Sequence, residues 1–295
     1  KTWWRCFKNQ NKSSLKFKKV QALDPSGARN FNRKGVAQHF ERWREAYQDY
    51  DIPPENMWNM DEKAIQLGGG CQGSNWKFFF DAAQGQLYKV KSNDLKMVTI
   101  IECISAAGVA MELTFISPSG DLGDWWEVEG VGVIGVSENG WTDNRHGENW
   151  FEKHFVPQAT ALNKLGKPII LLLDGHQSHV SDEMKNIAFK NNILLICMPP
   201  KTTHKLQLLD RLVFAAVQAA WAKLCEERAI IADVITLQTV IRDYMEAWQE
   251  GMKETTIKHS WQVTGHWPFN PNIFTDDDYA PSLAYAVDQV VPDSY

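Results

Sequence analysis

Five consecutive apolar residues, Ile169 to Leu173, run directly into Asp174-Gly175. A run so short and so apolar is a strand covered on both faces, or part of a buried helix. The flanks favour the strand. Lys167-Pro168 disfavours helix before it, and Asp174-Gly175 breaks the chain after it. The stretch IILLLDGHQSHVSDE, residues 169 to 183, is therefore expected to be a central strand, a turn and the start of a helix. Asp174 then stands at the carboxyl end of a central strand, where open α/β sheets gather functional groups. A carboxylate partly buried there needs a hydrogen-bonded turn or a metal ion to offset its lost hydration.

A chain of 295 residues, 44% hydrophobic and 23% charged, has material for a sizeable core and argues against wholesale disorder. No apolar run approaches the roughly 18 residues of a membrane span. No secretory signal opens the chain, and its first residue is Lys1 rather than Met, as in a fragment. The five cysteines are far apart and match no zinc or disulfide spacing, so a reducing compartment is expected. Charge is unevenly spread. Residues 1 to 45 carry 12 Lys and Arg against 3 Asp and Glu, a balance of +9, so the remainder carries −14 of the total −5. A basic arm ahead of an acidic body suits an anionic partner, nucleic acid first, or is simply a solvated charged segment.

In chain order, Trp3, Trp4 and Phe7 recur at helical spacing among Arg5, Lys8 and Lys12, as in the last helix of a small DNA-binding unit. Residues 20 to 34 read as a polar connector. Val36, Phe40, Trp43 and Tyr47 predict a helix over 34–50. Met57 to Asp61 is expected to be a strand ending on its acid, with short strands possible at 76–80 and 87–90. Residues 97–106 and 111–116 predict a hairpin. Residues 117–144, rich in Gly and acids, read as a long loop or insertion. Then follow a helix over 149–165, the strand 169–174, a helix over 181–191, a strand over 193–198, and helices over 206–227 and 233–252. Residues 259–274 begin helical and break at Pro268 and Pro271, and an acidic, loosely held tail fills 275–295. Three strands, then strands alternating with helices, imply a mixed sheet with helices on its faces. The order fits an α/β, RNase H-like core.

In that order the first and fourth strands lie side by side, so Asp61 and Asp174 meet at one edge. Asp210, near the start of the next long helix and separated from Asp174 by 35 residues, is the third acid. Three converging carboxylates repel and raise one another's pKa. Divalent cations reverse that penalty, and Mg²⁺ held by a few carboxylates keeps waters for substrate. Two such ions about 4 Å apart can activate a water or a 3′-hydroxyl and stabilise the leaving oxygen of a phosphodiester.

NMDE (59–62), LLLDGHQSH (171–179) and PPKTTHKLQLLDRLVF (199–214) resemble, in order and spacing, the three blocks of the DDE superfamily endonuclease domain. The likeness is to the pogo/jerky-like branch of Tc-mariner transposases, including the fungal elements. VTIIECISAAG (98–108), WTD (141–143), HF (154–155) and TGHWPFNP (264–271) resemble its linking and terminal segments. The resemblance covers roughly residues 20–274. It implies Asp61, Asp174 and Asp210 as the catalytic, metal-binding triad, two Mg²⁺ or Mn²⁺ ions, and metal-dependent cleavage and strand transfer at transposon ends. It also implies DNA as partner, a homodimer when active, and a nuclear location. Leu208 stands where the family usually has Pro, and Lys201 where His is common; neither change removes an acid.

The resulting division is a helix-turn-helix remnant and linker helix over 1–45, the endonuclease domain over 46–274 and the tail over 275–295. Arg5, Lys8, Lys12, Lys16, Lys18 and Lys19 are the candidate DNA contacts. His176 and His179 invite a zinc reading, but no cysteine cluster accompanies them, and a supporting or structural role fits better. His204 either approaches substrate phosphate or caps its helix. Glu62 and Glu183 read as supporting or surface residues. A chain beginning at residue 1 is expected to bind specific ends poorly. The rival reading is a DNA-binding protein of the centromere-binding protein B type that has lost its chemistry.

Overall fold

The computed structural model describes residues 2–11, 25–67, 96–118, 122–138, 144–174, 180–231 and 233–283. Its centre is one six-stranded sheet. The strands are β1 (Met57–Gln66), β2 (Met97–Ser105), β3 (Leu113–Pro118), β4 (Val131–Ser137), β5 (Ile169–Leu173) and β6 (Ile193–Cys197), in the order β4-β3-β2-β1-β5-β6. The β1–β2–β3 portion is antiparallel, whereas β5 and β6 run parallel to β1. All five residues of β5 are buried, which is why the run from Ile169 carries no polar alternation.

Helices cover both faces. One face carries α3 (Arg33–Asp49), α8 (Phe214–Ile230), α9 (Val240–Gly251) and α10 (Glu254–Val263); the other carries α4 (Asn144–Trp150), α5 (Val156–Leu162) and α6 (Asp182–Lys190). Asn32 caps α3 by accepting the Gly35 N–H at 2.9 Å, and Ser181 caps α6 by accepting that of Met184 at 3.1 Å, each removing an orphan donor. The buried stripe Val36, Phe40 and Trp43 joins α3 to the same core as Met57, Ile170 and Leu172. A division after residue 45 therefore passes through a helix of the core.

The motif TGHWPFNP clasps α3. The Trp43 indole donates to the His266 carbonyl at 3.0 Å, and the His39 and His266 rings share a 2.9 Å hydrogen bond in the interior. Burial holds His39 down at about 4 and His266 well below the ordinary histidine value, so both rings stay neutral. Gly265 turns the chain at φ +77, and a Cβ there would stand 2.5 Å from the Asn270 carbonyl oxygen; only glycine fits.

Several expectations need correction. The connector contains a helix, α2 (Pro25–Asn30). The supposed insertion contains β4, a parallel edge strand on β3. Its alternation VGVIGVS pairs β-branched residues with glycine, and the glycines masked a strand pattern. Trp125 anchors the approach to β4: it is fully buried and donates to the Leu237 carbonyl at 2.8 Å. Trp126, by contrast, is exposed. The helix expected over 149–165 is α4, a π-helical turn (Phe151–Phe155) and α5. The helix expected over 233–252 begins only at Val240, because the segment containing Thr236 and Thr239 closes on itself as a turn. Part of the tail is not loose. α11 (Asp276–Leu283) seats Tyr279 against Phe31 with ring centres 5.2 Å apart. The possible strands at 76–80 and 87–90, WTD at 141–143 and residues 284–295 lie outside the described residues.

Candidate active site

Asp61 lies inside β1, not at its end, because β1 continues to Gln66 along β2. Its pairing with β5 stops earlier. The parallel register matches Asn59 with Leu172, so two residues further along each strand bring Asp61 level with Asp174. The Asn59 side-chain amide, fully buried, donates to the Leu172 carbonyl at 3.1 Å and fixes the two strands together just before the acids. Side chains alternate along a strand. Met57 and Ile65 pack into the clusters beneath α3, α8 and α9, so Asp61, of the same parity, faces that side. Asp174 shares its parity with Ile170 and Leu172, which join the same cluster as Met57.

Asp210 reaches this face from a π-helical turn, Leu209–Val213, that leads into α8. Such turns displace side chains from the regular helical path and recur at functional sites. The long helix expected from Leu206 is thus interrupted: α7 (Thr203–Leu206) is a separate short turn of helix. Between them, the fully buried Gln207 donates its side-chain amide to the Met60 carbonyl at 3.2 Å. That bond ties the start of the Asp210 turn to the residue before Asp61. Thr202, also fully buried, secures the Pro199-Pro200 bend by donating to the Pro199 carbonyl at 2.5 Å.

Asp61 and Asp210 both feel the charge of Asp174, and Asp61 also that of Asp210. Asp61 is held well above the ordinary carboxylate range, first by burial and then by the charges of Asp210, Asp174 and Glu62; the Glu62 N–H, 2.9 Å from Oδ1, opposes the rise. Asp210 is raised by lost hydration and by Asp174, with Lys63 opposing. Asp174 also raises Cys197, at the end of β6, after burial as the larger cause. Among the described residues no group of three or more His, Cys, Asp or Glu side chains forms a ready-made ion cage. The donor set nonetheless suits a hard divalent cation. It consists of carboxylate oxygens whose mutual repulsion a cation would remove.

Glu102 and Lys63 went unremarked in the sequence. Glu102 pairs directly opposite Asp61 on β2 and is fully buried. It accepts the Tyr244 hydroxyl at 2.6 Å and the Trp248 indole N–H at 3.3 Å. Lys63 projects from the Asp61 face and donates to the Phe214 carbonyl at 3.4 Å. Strand alternation alone places Lys63 beside Asp61, but nothing local reveals the partner of Glu102.

Of the supporting candidates, His204 packs its ring edge-on against Phe31 at 5.6 Å. Burial lowers its pKa, then the charges of Lys205 and Arg211. His176 and His179 lie outside the described residues, as do Lys12, Lys16, Lys18 and Lys19. Arg5 and Lys8 lie on α1 (Thr2–Gln10), with Lys8 5.2 Å from the Trp4 ring centre. The mutually stacked Trp3 and Trp4 are exposed.

A family model described as DDE superfamily endonuclease matches residues 94–261. The chain belongs to this family. Asp174 and Asp210 fall inside the matched stretch and Asp61 precedes it. The DDE fold is also that of the pre-cleavage Mos1 transpososome: TM-score 0.51, 11% identity, 95% of this chain and 70% of that chain covered. The Mos1 transposase catalytic domain solved with raltegravir and Mg matches at TM-score 0.48 and 11% identity, over 84% of this chain and 94% of its own. The MFS-type transporter clz9 of Cochliobolus lunatus is 30% identical over 236 residues. The match takes in 76% of this DDE-family chain but spans only 24% of that relative's length. No helix among the described residues is long and apolar enough to cross a membrane.

Proposed function

We propose that this chain is the catalytic domain of a DNA transposase of the pogo/jerky-like branch, and that Asp61, Asp174 and Asp210 are its metal-holding triad. The observation that carries this reading is the register of β1 against β5. It brings Asp61 level with Asp174 on one face, and the charge of Asp210 acts on the first while that of Asp174 acts on both of the others.

The three carboxylates would hold Mg²⁺ or Mn²⁺, two ions in the full reading. When bound, the ions supply Lewis-acid activation of a water or 3′-hydroxyl and neutralise charge on the phosphodiester. The protein's own contribution is placement. Asn59 locks the two strands in register, Gln207 fixes the approach to Asp210, and the π-helical turn carries Asp210 within electrostatic reach of Asp61. The substrate is DNA at transposon ends, cut and then joined to target DNA by a homodimer in the nucleus. Arg5, Lys8, Lys12, Lys16, Lys18 and Lys19 form the basic arm, the remnant of a helix-turn-helix unit, that would meet phosphates.

The test is nicking of end-containing duplex DNA by the purified protein with Mg²⁺ or Mn²⁺. Cleavage is expected for the wild type, with a fall on the order of a thousandfold or more in Asp174→Ala. Cleavage that is unchanged in Asp174→Ala contradicts the proposal.

A further inference from the structure

Lys63 is a partly buried cation on the floor of a site built from acids. It lies two residues beyond Asp61 on the same face of β1. Its ammonium donates to the Phe214 carbonyl at 3.4 Å and sits 5.2 Å from the centre of the Phe214 ring. Phe214 is the first residue of α8, immediately after the turn that carries Asp210. Burial lowers the pKa of Lys63 and the charges of Glu102 and Asp210 oppose that fall, while Lys63 acts in return on each of them.

Glu102 is immobilised from the opposite side. Its two oxygens accept Tyr244 and Trp248 of α9, so it is a carboxyl fixed in place rather than a free ligand; burial raises its pKa, and Tyr244, Lys63 and Trp248 oppose the rise. A fixed carboxyl behind it, a carbonyl at its tip and Asp210 within electrostatic reach define one job for a lysine. It balances the acid row and anchors the helix start that bears the third acid.

We infer that Lys63, backed by Glu102, is a built-in counter-cation that positions Asp210 and tempers the affinity of the triad for divalent metal. This rests on the metal-site reading above and deepens it. A charge standing beside Asp210 makes the carboxylate cluster tolerable before metal arrives. The same charge opposes the arriving cation, so metal is bound less tightly than three unopposed aspartates would bind it. Lys63 is thus a positioning residue, acting through Asp210.

The experiment is Mn²⁺ binding to the purified chain, followed by the electron paramagnetic resonance signal of free Mn²⁺, for wild type, Lys63→Gln, Lys63→Met, Lys63→Arg and Asp174→Ala. Lys63→Gln keeps a donor for the Phe214 carbonyl and removes the charge, so it is the variant that best preserves the fold. It is expected to bind Mn²⁺ more tightly, by about tenfold. Lys63→Met, which also loses the anchoring bond, is expected to cleave DNA more slowly at saturating Mn²⁺, by about tenfold or more. Lys63→Arg is expected to stay near wild type in both. Unchanged or weaker Mn²⁺ binding by Lys63→Gln overturns the inference. Asp174→Ala separates the two levels: if it loses Mn²⁺ binding while Lys63→Gln matches wild type, only the role of Lys63 falls. If Asp174→Ala keeps wild-type affinity, the metal-site reading itself falls.

Discussion

Asp61 and Glu102 face each other across β1 and β2 in direct register, yet they are held in opposite ways. Glu102 is fully buried, with a hydroxyl and an indole N–H on its oxygens and Lys63 within electrostatic reach. Among the described residues Asp61 accepts a single backbone N–H, that of its neighbour Glu62, and the charges acting on it are those of other acids. One acid is satisfied by the fold. The other is left for something the fold does not supply. The fully buried carboxylate carries its own donors, whereas the half-buried Asp61 faces other acids, the arrangement expected of a group kept for a cation.

That contrast can be broken by substitution, and the largest effect should come from the acid the fold does not satisfy. Asp61→Asn should lower metal-dependent DNA cleavage on the order of a thousandfold or more, while raising the melting temperature of the metal-free protein by removing repulsion from Asp174 and Asp210. A melting temperature that falls would show that Asp61 is held by contacts like those of Glu102.

Glu102→Ala should act the other way. It strands two buried donors and leaves a cavity, costing about 3 kcal/mol of stability in denaturant unfolding. Tyr244→Phe removes one donor from the buried carboxylate and should cost about 2 kcal/mol. An unfolding free energy unchanged in either variant would contradict the structural role assigned to Glu102.

The smallest effect is a pH dependence in the absence of metal. The folded-state pKa of Asp61 is raised, so the folded protein binds more protons than the unfolded chain between the two values. Its stability contribution is fully present below the unfolded value of about 3.9 and is lost as pH rises through the folded value. Metal-free wild type should therefore lose stability relative to Asp61→Asn as pH rises above about 4. Parallel stability profiles for the two proteins would contradict the assignment.

Much of the sheet was legible in the chain. The apolar run at 169–173 became β5, one residue shorter than the expected 169–174, and the side-by-side placement of β1 and β5 followed from element order. Local pattern failed where side-chain chemistry overrode it. The glycines of VGVIGVS disguised an edge strand, and the turn between α7 and α8 follows from a hydrogen bond of Gln207 to a residue 147 positions away. No periodicity could reveal that. The strand carrying Asp61 was expected to stop at its acid because strand ends are where such acids usually sit. Here β1 runs on beside β2, and only its partner β5 stops. Glu102 was invisible for a related reason: its donors come from α9, 142 and 146 residues further along.

On the proposed function, Asp61 and Asp174, level on adjacent strands, hold a divalent ion together. The most direct measurement is a crystal structure of the protein soaked with Mn²⁺, located by its anomalous scattering. Mn²⁺ is expected to be coordinated by carboxylate oxygens of both Asp61 and Asp174, with Asp210 at the same centre. Mn²⁺ bound elsewhere, with none between Asp61 and Asp174, would contradict it.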